Sequence, residues 1–98
     1  MRVRDLINWL VAILTAASLP PALRPLSVKY PARQIRGREL LDGTVEVTVY
    51  HRYKKHGSPM PIDSEGIKKA LHDRLPVSYI VDSVTDCGTH IIIFFKGV

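Results

Sequence analysis

The chain has 98 residues, of which 46% are hydrophobic and 23% charged, so it is one domain of ordinary globular composition, too short for a second independent core and too apolar for a disordered segment. Fourteen Lys and Arg against nine Asp and Glu give a formal charge of +5 and a pI near 9.7. The one cysteine, Cys87, excludes an intrachain disulfide framework and a thiolate-rich metal site.

Residues 1–19 open on Met1-Arg2-Val3-Arg4-Asp5 and then run apolar from Leu6 to Leu19, interrupted by Asn8, Thr15 and Ser18. A basic start before an apolar stretch is the layout of a secretory leader, but Asp5 breaks the positive flank. The stretch is shorter than the roughly 20 residues that a membrane span needs, and Pro20-Pro21 stops any helix. On a helical wheel Asp5, Asn8, Ala12, Thr15 and Ser18 share one stripe and the rest of the circumference is apolar. Three placements fit such a helix: packed on its own sheet and also on a neighbouring subunit, packed on its own domain alone, or laid in a membrane interface. The surplus of apolar surface favours the first, and Trp9 suits all three.

Residues 20–38 read as an extended, proline-rich basic arm. Pro20, Pro21, Pro25 and Pro31 disfavour helix, and Arg24, Lys29, Arg33, Arg36 and Arg38 accumulate with no acid between Asp5 and Glu39. Such an arm suits a strap across an acidic surface of a neighbour, because Arg pairs carboxylates bidentately. The segment from Gln34 to Leu40 is also the expected hairpin partner of the next strand, with Gly37 marking a bulge or edge irregularity.

Residues 39–98 carry the sheet and a helix. Asp42-Gly43 signals a hairpin turn. After it Val45, Val47, Val49 and Tyr53 alternate with Glu46, Thr48, Tyr50 and Arg52, the pattern of a strand with one dry and one wet face. Lys54 to Pro61 reads as a loop. Asp63 or Ser64 caps a helix whose apolar stripe is Ile67, Ala70, Leu71 and Leu75, and Pro76 ends it. Strands at Ser78 to Val84 and His90 to Phe95, joined by the turn Asp86-Cys87-Gly88, close the chain. The last strand is apolar on both faces, which places it mid-sheet or against a foreign surface. The expected fold is α+β: a mainly antiparallel four-stranded sheet with an N-terminal helix and one further helix packed on it.

No pattern names a reaction. Cys87-Gly88-Thr89-His90 has the spacing of two metal ligands, but a structural zinc needs about four, and His51, His56 and His72 are scattered over strand, loop and helix. As a nucleophile and base the pair is sequence-adjacent on a hairpin and lacks an oxyanion hole. Catalytic, cofactor-binding and metal-ligating residues are therefore all expected to be none, with no small-molecule substrate. The run His51-Arg52-Tyr53-Lys54-Lys55-His56 interleaves cations and aromatics as single-strand nucleic-acid binders do, making Arg52, Lys54 and Lys55 candidate contacts. With only Tyr50 and Arg52 assigned to the wet face, a stacking platform of two or three aromatics is not expected.

The order of elements, carried by Asp5 to Leu19, Gly43 to Tyr53, Asp63 to Leu75 and Thr89 to Val98, resembles the small tail-terminator and head–tail joining proteins of long-tailed bacteriophages. The resemblance is one of pattern and carries over no individual residue; the chain is also shorter than most of that family. It implies a non-enzymatic subunit that assembles into rings in a virion, with further copies of itself and neighbouring assembly proteins as partners. Heterologous interfaces of that kind close into rings or run on as filaments. Trp9, Arg24, Arg33, Arg36, Arg38 and Phe94 are the expected interface residues. The alternatives are a small basic nucleic-acid-associated protein of the cytoplasm and a peripheral membrane protein held by residues 6–19.

Cys87→Ser and His90→Gln are each expected to leave folding and self-association unchanged. Stoichiometric zinc in the purified protein, or loss of association in both variants, would contradict the absence of a chemical role for this pair.

Overall fold

The computed structural model describes residues 3–16, 18–50, 54–55, 58–59, 61–76 and 78–97. Helix α1 (Val3–Leu14) is followed by a 3-10 helical turn (Pro21–Leu26), a short helix α2 (Pro31–Gln34), and the hairpin of β1 (Ile35–Glu39) and β2 (Val45–Tyr50). A two-stranded pairing of β3 (Lys54–Lys55) with β4 (Ser58–Pro59) comes next, then helix α3 (Ser64–His72) and the hairpin of β5 (Tyr79–Asp86) and β6 (His90–Gly97). The main sheet has the order β1-β2-β6-β5 and is antiparallel throughout. The α+β expectation is met, and the doubly apolar strand β6 sits mid-sheet.

Alternation along β2 and β6 assigns the faces. Val45, Val47 and Val49 are buried and stand across from Phe95, Ile93 and Ile91, which are buried too. Ile35 and Val81 extend this dry face onto the two outer strands. Helix α1 covers it with Leu6, Leu10 and Leu14, spaced four apart and fully buried, and α3 with Ile67, Ala70 and Leu71. Each large aliphatic side chain removed from water contributes roughly 1.5–3 kcal/mol. Asp63 caps α3 by accepting a hydrogen bond from the Gly66 N–H at 3.0 Å.

Three expectations are corrected. First, residues 20–38 are not an extended arm. Prolines at 20 and 21 start the 3-10 turn, whose Leu23 and Leu26 are fully buried, and Val28 joins them in the core. This segment plugs the gap between α1 and α3, so it cannot also serve as a detachable strap; its last part forms β1, the strand expected within Gln34 to Leu40, so the sheet starts at Ile35, ahead of the 39–98 region. Second, Gly37 lies in regular register opposite Val47; the irregularity falls in β5, between Val81 and Ser83. Gly37 lets α1 cross closely there: a Cβ would stand 2.8 Å from Ile7 Cδ1 and 3.1 Å from Val3 Cγ1, so those side-chain ends would have to move aside. Third, α1 is less in need of outside cover than its composition suggests. The stripe of Asp5, Asn8, Ala12, Thr15 and Ser18 is exposed as expected, while Val3, Ile7, Trp9, Val11 and Ile13 pack against the chain's own core. The short pairing of β3 with β4 also lies where a loop was expected.

Gln34 ties the proline-rich segment to the sheet. Its side-chain oxygen accepts from the Lys29 and Tyr30 N–H groups, both at 2.9 Å, and its amide donates to the Tyr50 carbonyl at 3.1 Å and toward the Ser27 carbonyl at 3.5 Å. Both donors and the acceptor are used, so the one side chain spans three segments.

Gly37→Val is expected to destabilise the fold by about 1–3 kcal/mol through overpacking against α1, seen as a lower urea midpoint at unchanged slope. An unshifted midpoint would show that α1 does not rest on β1.

Candidate interaction surface: the open face of the sheet

The described helical segments that enter the core lie on one side of the sheet, and the other side has no helix over it among the described residues. Cross-strand register assembles this second face from residues far apart in sequence. Arg36 stands beside Thr48 and then Ile92; Arg38 beside Glu46 and then Phe94; Tyr50 beside His90. Strand β5 adds Ser83 next to Phe94, Thr85 next to Ile92, and Ile80 next to Lys96. Phe94 and Ile92 form the half-buried centre, and Ile80 is exposed at the margin.

Charges ring this centre in pairs. The Arg38 guanidinium grips Glu46 with two bonds of 3.2 Å, and Lys96 Nζ lies 3.7 Å from Asp82. Both are surface pairs and contribute little to stability. Among the described residues Arg36 has no ion-pair partner. At one end the Tyr50 and His90 rings lie 5.1 Å apart. Tyr50 and His90 meet only through pairing of β2 with β6, and Phe94 lies on the same face of β6 further along, opposite Glu46.

The outer strands do not invite further strands. β1 is five residues long and carries Arg36 and Arg38, and β5 is kinked by its irregularity at Val81/Ser83. Short, charged or bulged edges resist edge-to-edge addition. Contact with another molecule therefore favours the face over the edges.

The expected interface residues divide. Arg36, Arg38 and Phe94 come together on the open face. Trp9 lies on the opposite side, its ring edge-on to Phe95 at 6.4 Å. Arg24 is exposed on the 3-10 turn and Arg33 on α2. The partner of Arg38 is a carboxylate of its own chain. Of the nucleic-acid candidates, Lys54 and Lys55 form β3, and Arg52 lies outside the described residues. Cys87 is exposed in the β5–β6 turn, and no group of three or more His, Cys, Asp or Glu among the described residues could hold a metal ion. No described helix is long and apolar enough to cross a membrane.

No family model, no curated protein and no solved structure matches this chain.

Neighbouring phenylalanines should respond oppositely to truncation. Phe95→Ala is expected to cost about 3–5 kcal/mol, the range for a core aromatic, and Phe94→Ala about 1 kcal/mol or less in the dissociated chain, where no partner covers it. Equal costs in thermal unfolding would contradict the assignment of the two faces.

Proposed function

We propose that this chain is a non-enzymatic structural subunit that assembles with further copies of itself into a ring, as part of a virion. The order that resembles the phage tail-terminator and head–tail joining proteins is a packed N-terminal helix, a basic extended arm, a hairpin, a helix and two closing strands; α1, β1–β2, α3 and β5–β6 occur in that order, while the extended arm of that pattern is absent from residues 20–38. The observation that carries the reading is the open sheet face. It has an apolar aromatic centre and a polar rim, which is the anatomy of a protein interface.

The rim also separates this reading from its rivals. Glu46 and Asp82 both lie within it, each beside a cation. A phosphate backbone laid across the face would meet those carboxylates, whereas a protein surface of mixed charge pairs with both signs. The apolar side of α1 is engaged in its own core, which leaves little of it for a lipid surface. A protein partner is therefore the better fit.

Light scattering over a concentration series tests this. The wild-type chain is expected to reach a defined multiple of 11.0 kDa, in a manner little changed by salt, and Phe94→Ala to return it toward the single-chain mass while remaining folded. A wild-type chain that stays at the single-chain mass throughout would overturn the proposal. So would tight binding of single-stranded DNA that falls steeply with salt.

A further inference from the structure

We infer that the folded segment from Lys29 to Arg36 is a docking surface for an acidic stretch of a different protein. This concerns another surface and another partner than the self-assembly reading, and it does not rest on that reading.

Residues 20–38 hold Arg24, Lys29, Arg33, Arg36 and Arg38 and no acid, and these cations account for the whole formal excess of +5. The rest of the chain is balanced. Folding fixes this excess in place instead of leaving it on a loose arm. The Gln34 side chain accepts from the Lys29 and Tyr30 N–H groups, both at 2.9 Å, and donates to the Tyr50 carbonyl at 3.1 Å. The bend at Lys29, the short helix α2 with Arg33, and the end of β2 are thereby held together. Arg36 follows in β1, beside Thr48, at the border with the open face. Lys29, Arg33 and Arg36 are exposed, and none has an ion pair among the described residues, whereas Arg38 further along β1 is paired with Glu46. Strand order brings Asp86 to the same end of the sheet, but its Oδ1 is taken by the Gly88 N–H at 2.9 Å.

Charges of one sign fixed on a surface select a partner of the other sign. The planar arginine fork pairs carboxylates bidentately, and a surface already ordered loses little conformational entropy on docking. A second copy of this chain is a poor source of the carboxylates, because it brings the same excess of +5. Nucleic acid is a poor match on two counts. The Tyr50 and His90 rings lie against each other at 5.1 Å, which leaves Tyr30, 64% exposed, as the ring this surface offers freely among the described residues. One ring is not a stacking platform. Lys54 and Lys55 follow Tyr50 within about 18 Å of chain. Even counting them, the cations number five, below the roughly six to ten phosphate contacts that make charge-driven binding strong. A short run of Asp and Glu on a protein matches the size and sign of the surface.

The chain carries a built-in reporter. Gln34 is its one glutamine and Asn8 its one asparagine, and Asn8 is exposed on the polar stripe of α1. A nitrogen–proton correlation spectrum therefore shows one glutamine side-chain amide inside the surface and one asparagine side-chain amide outside it. Titration with a short oligoglutamate peptide is expected to shift the Gln34 amide and leave that of Asn8 in place. In fluorescence anisotropy with the labelled peptide at low salt, the variant carrying Lys29→Gln and Arg33→Gln, which spares the open face, is expected to bind about fivefold more weakly. A control carrying Lys68→Gln and Lys69→Gln on α3 loses the same charge and is expected to bind as the wild type does. No binding of the peptide, equal shifts of the two amides, or equal losses in the two variants would each overturn the inference. So would tighter binding of a single-stranded oligonucleotide of equal charge, an outcome that also counts against the self-assembly reading; the other three leave that reading standing.

Discussion

Helix α1, the 3-10 turn and α3 all pack on the same face of the sheet, and this asymmetry governs the rest of the structure. The buried side chains Leu6, Leu10, Leu14, Leu23, Leu26, Ile67 and Leu71 converge on Val47, Ile93 and their neighbours, and one chain of this length builds one such core. Nothing comparable covers the reverse side among the described residues. Yet β2 and β6 place Phe94 and Ile92 there, flanked by ion pairs whose members come from adjacent strands. The open face is a consequence of where the helices went.

Much of this was legible in the sequence. Alternation marked Val45, Val47 and Val49 as buried, the doubly apolar run Ile91 to Phe95 marked a central strand, Asp63 marked a helix start, and the polar stripe of α1 was correctly drawn. What could not be read was pairing. The Arg38–Glu46 link follows from the hairpin expected around Asp42-Gly43, but the links of Tyr50 to His90 and of Glu46 to Phe94 depend on strand order, and no local pattern states strand order.

The proline-rich segment misled for a different reason. Proline does disfavour α-helix, and the basic residues are solvent-facing, so an extended arm was the natural inference. However, proline is well suited to the first turn of a helical segment, and Leu23, Leu26 and Val28 among the prolines were the sign that this stretch is held by the core. Gly37 likewise signals a bulge or edge irregularity in the sequence, whereas in the fold it sits in register and its small size serves the helix above it. Gln34 gave no signal at all, since a polar residue with bonds to three segments looks like any other glutamine until the chain is folded.

The central claim is that the uncovered face, with Phe94 at its centre, is where copies of this chain meet. The chain holds two phenylalanines, Phe94 and Phe95, on opposite sides of one strand. Fluorine NMR of the fluorophenylalanine-labelled protein therefore reads both faces at once. The Phe94 resonance is expected to shift progressively as concentration rises and assembly proceeds, with the Phe95 resonance unmoved. A Phe94 resonance that stays in place while the particle grows would contradict the account.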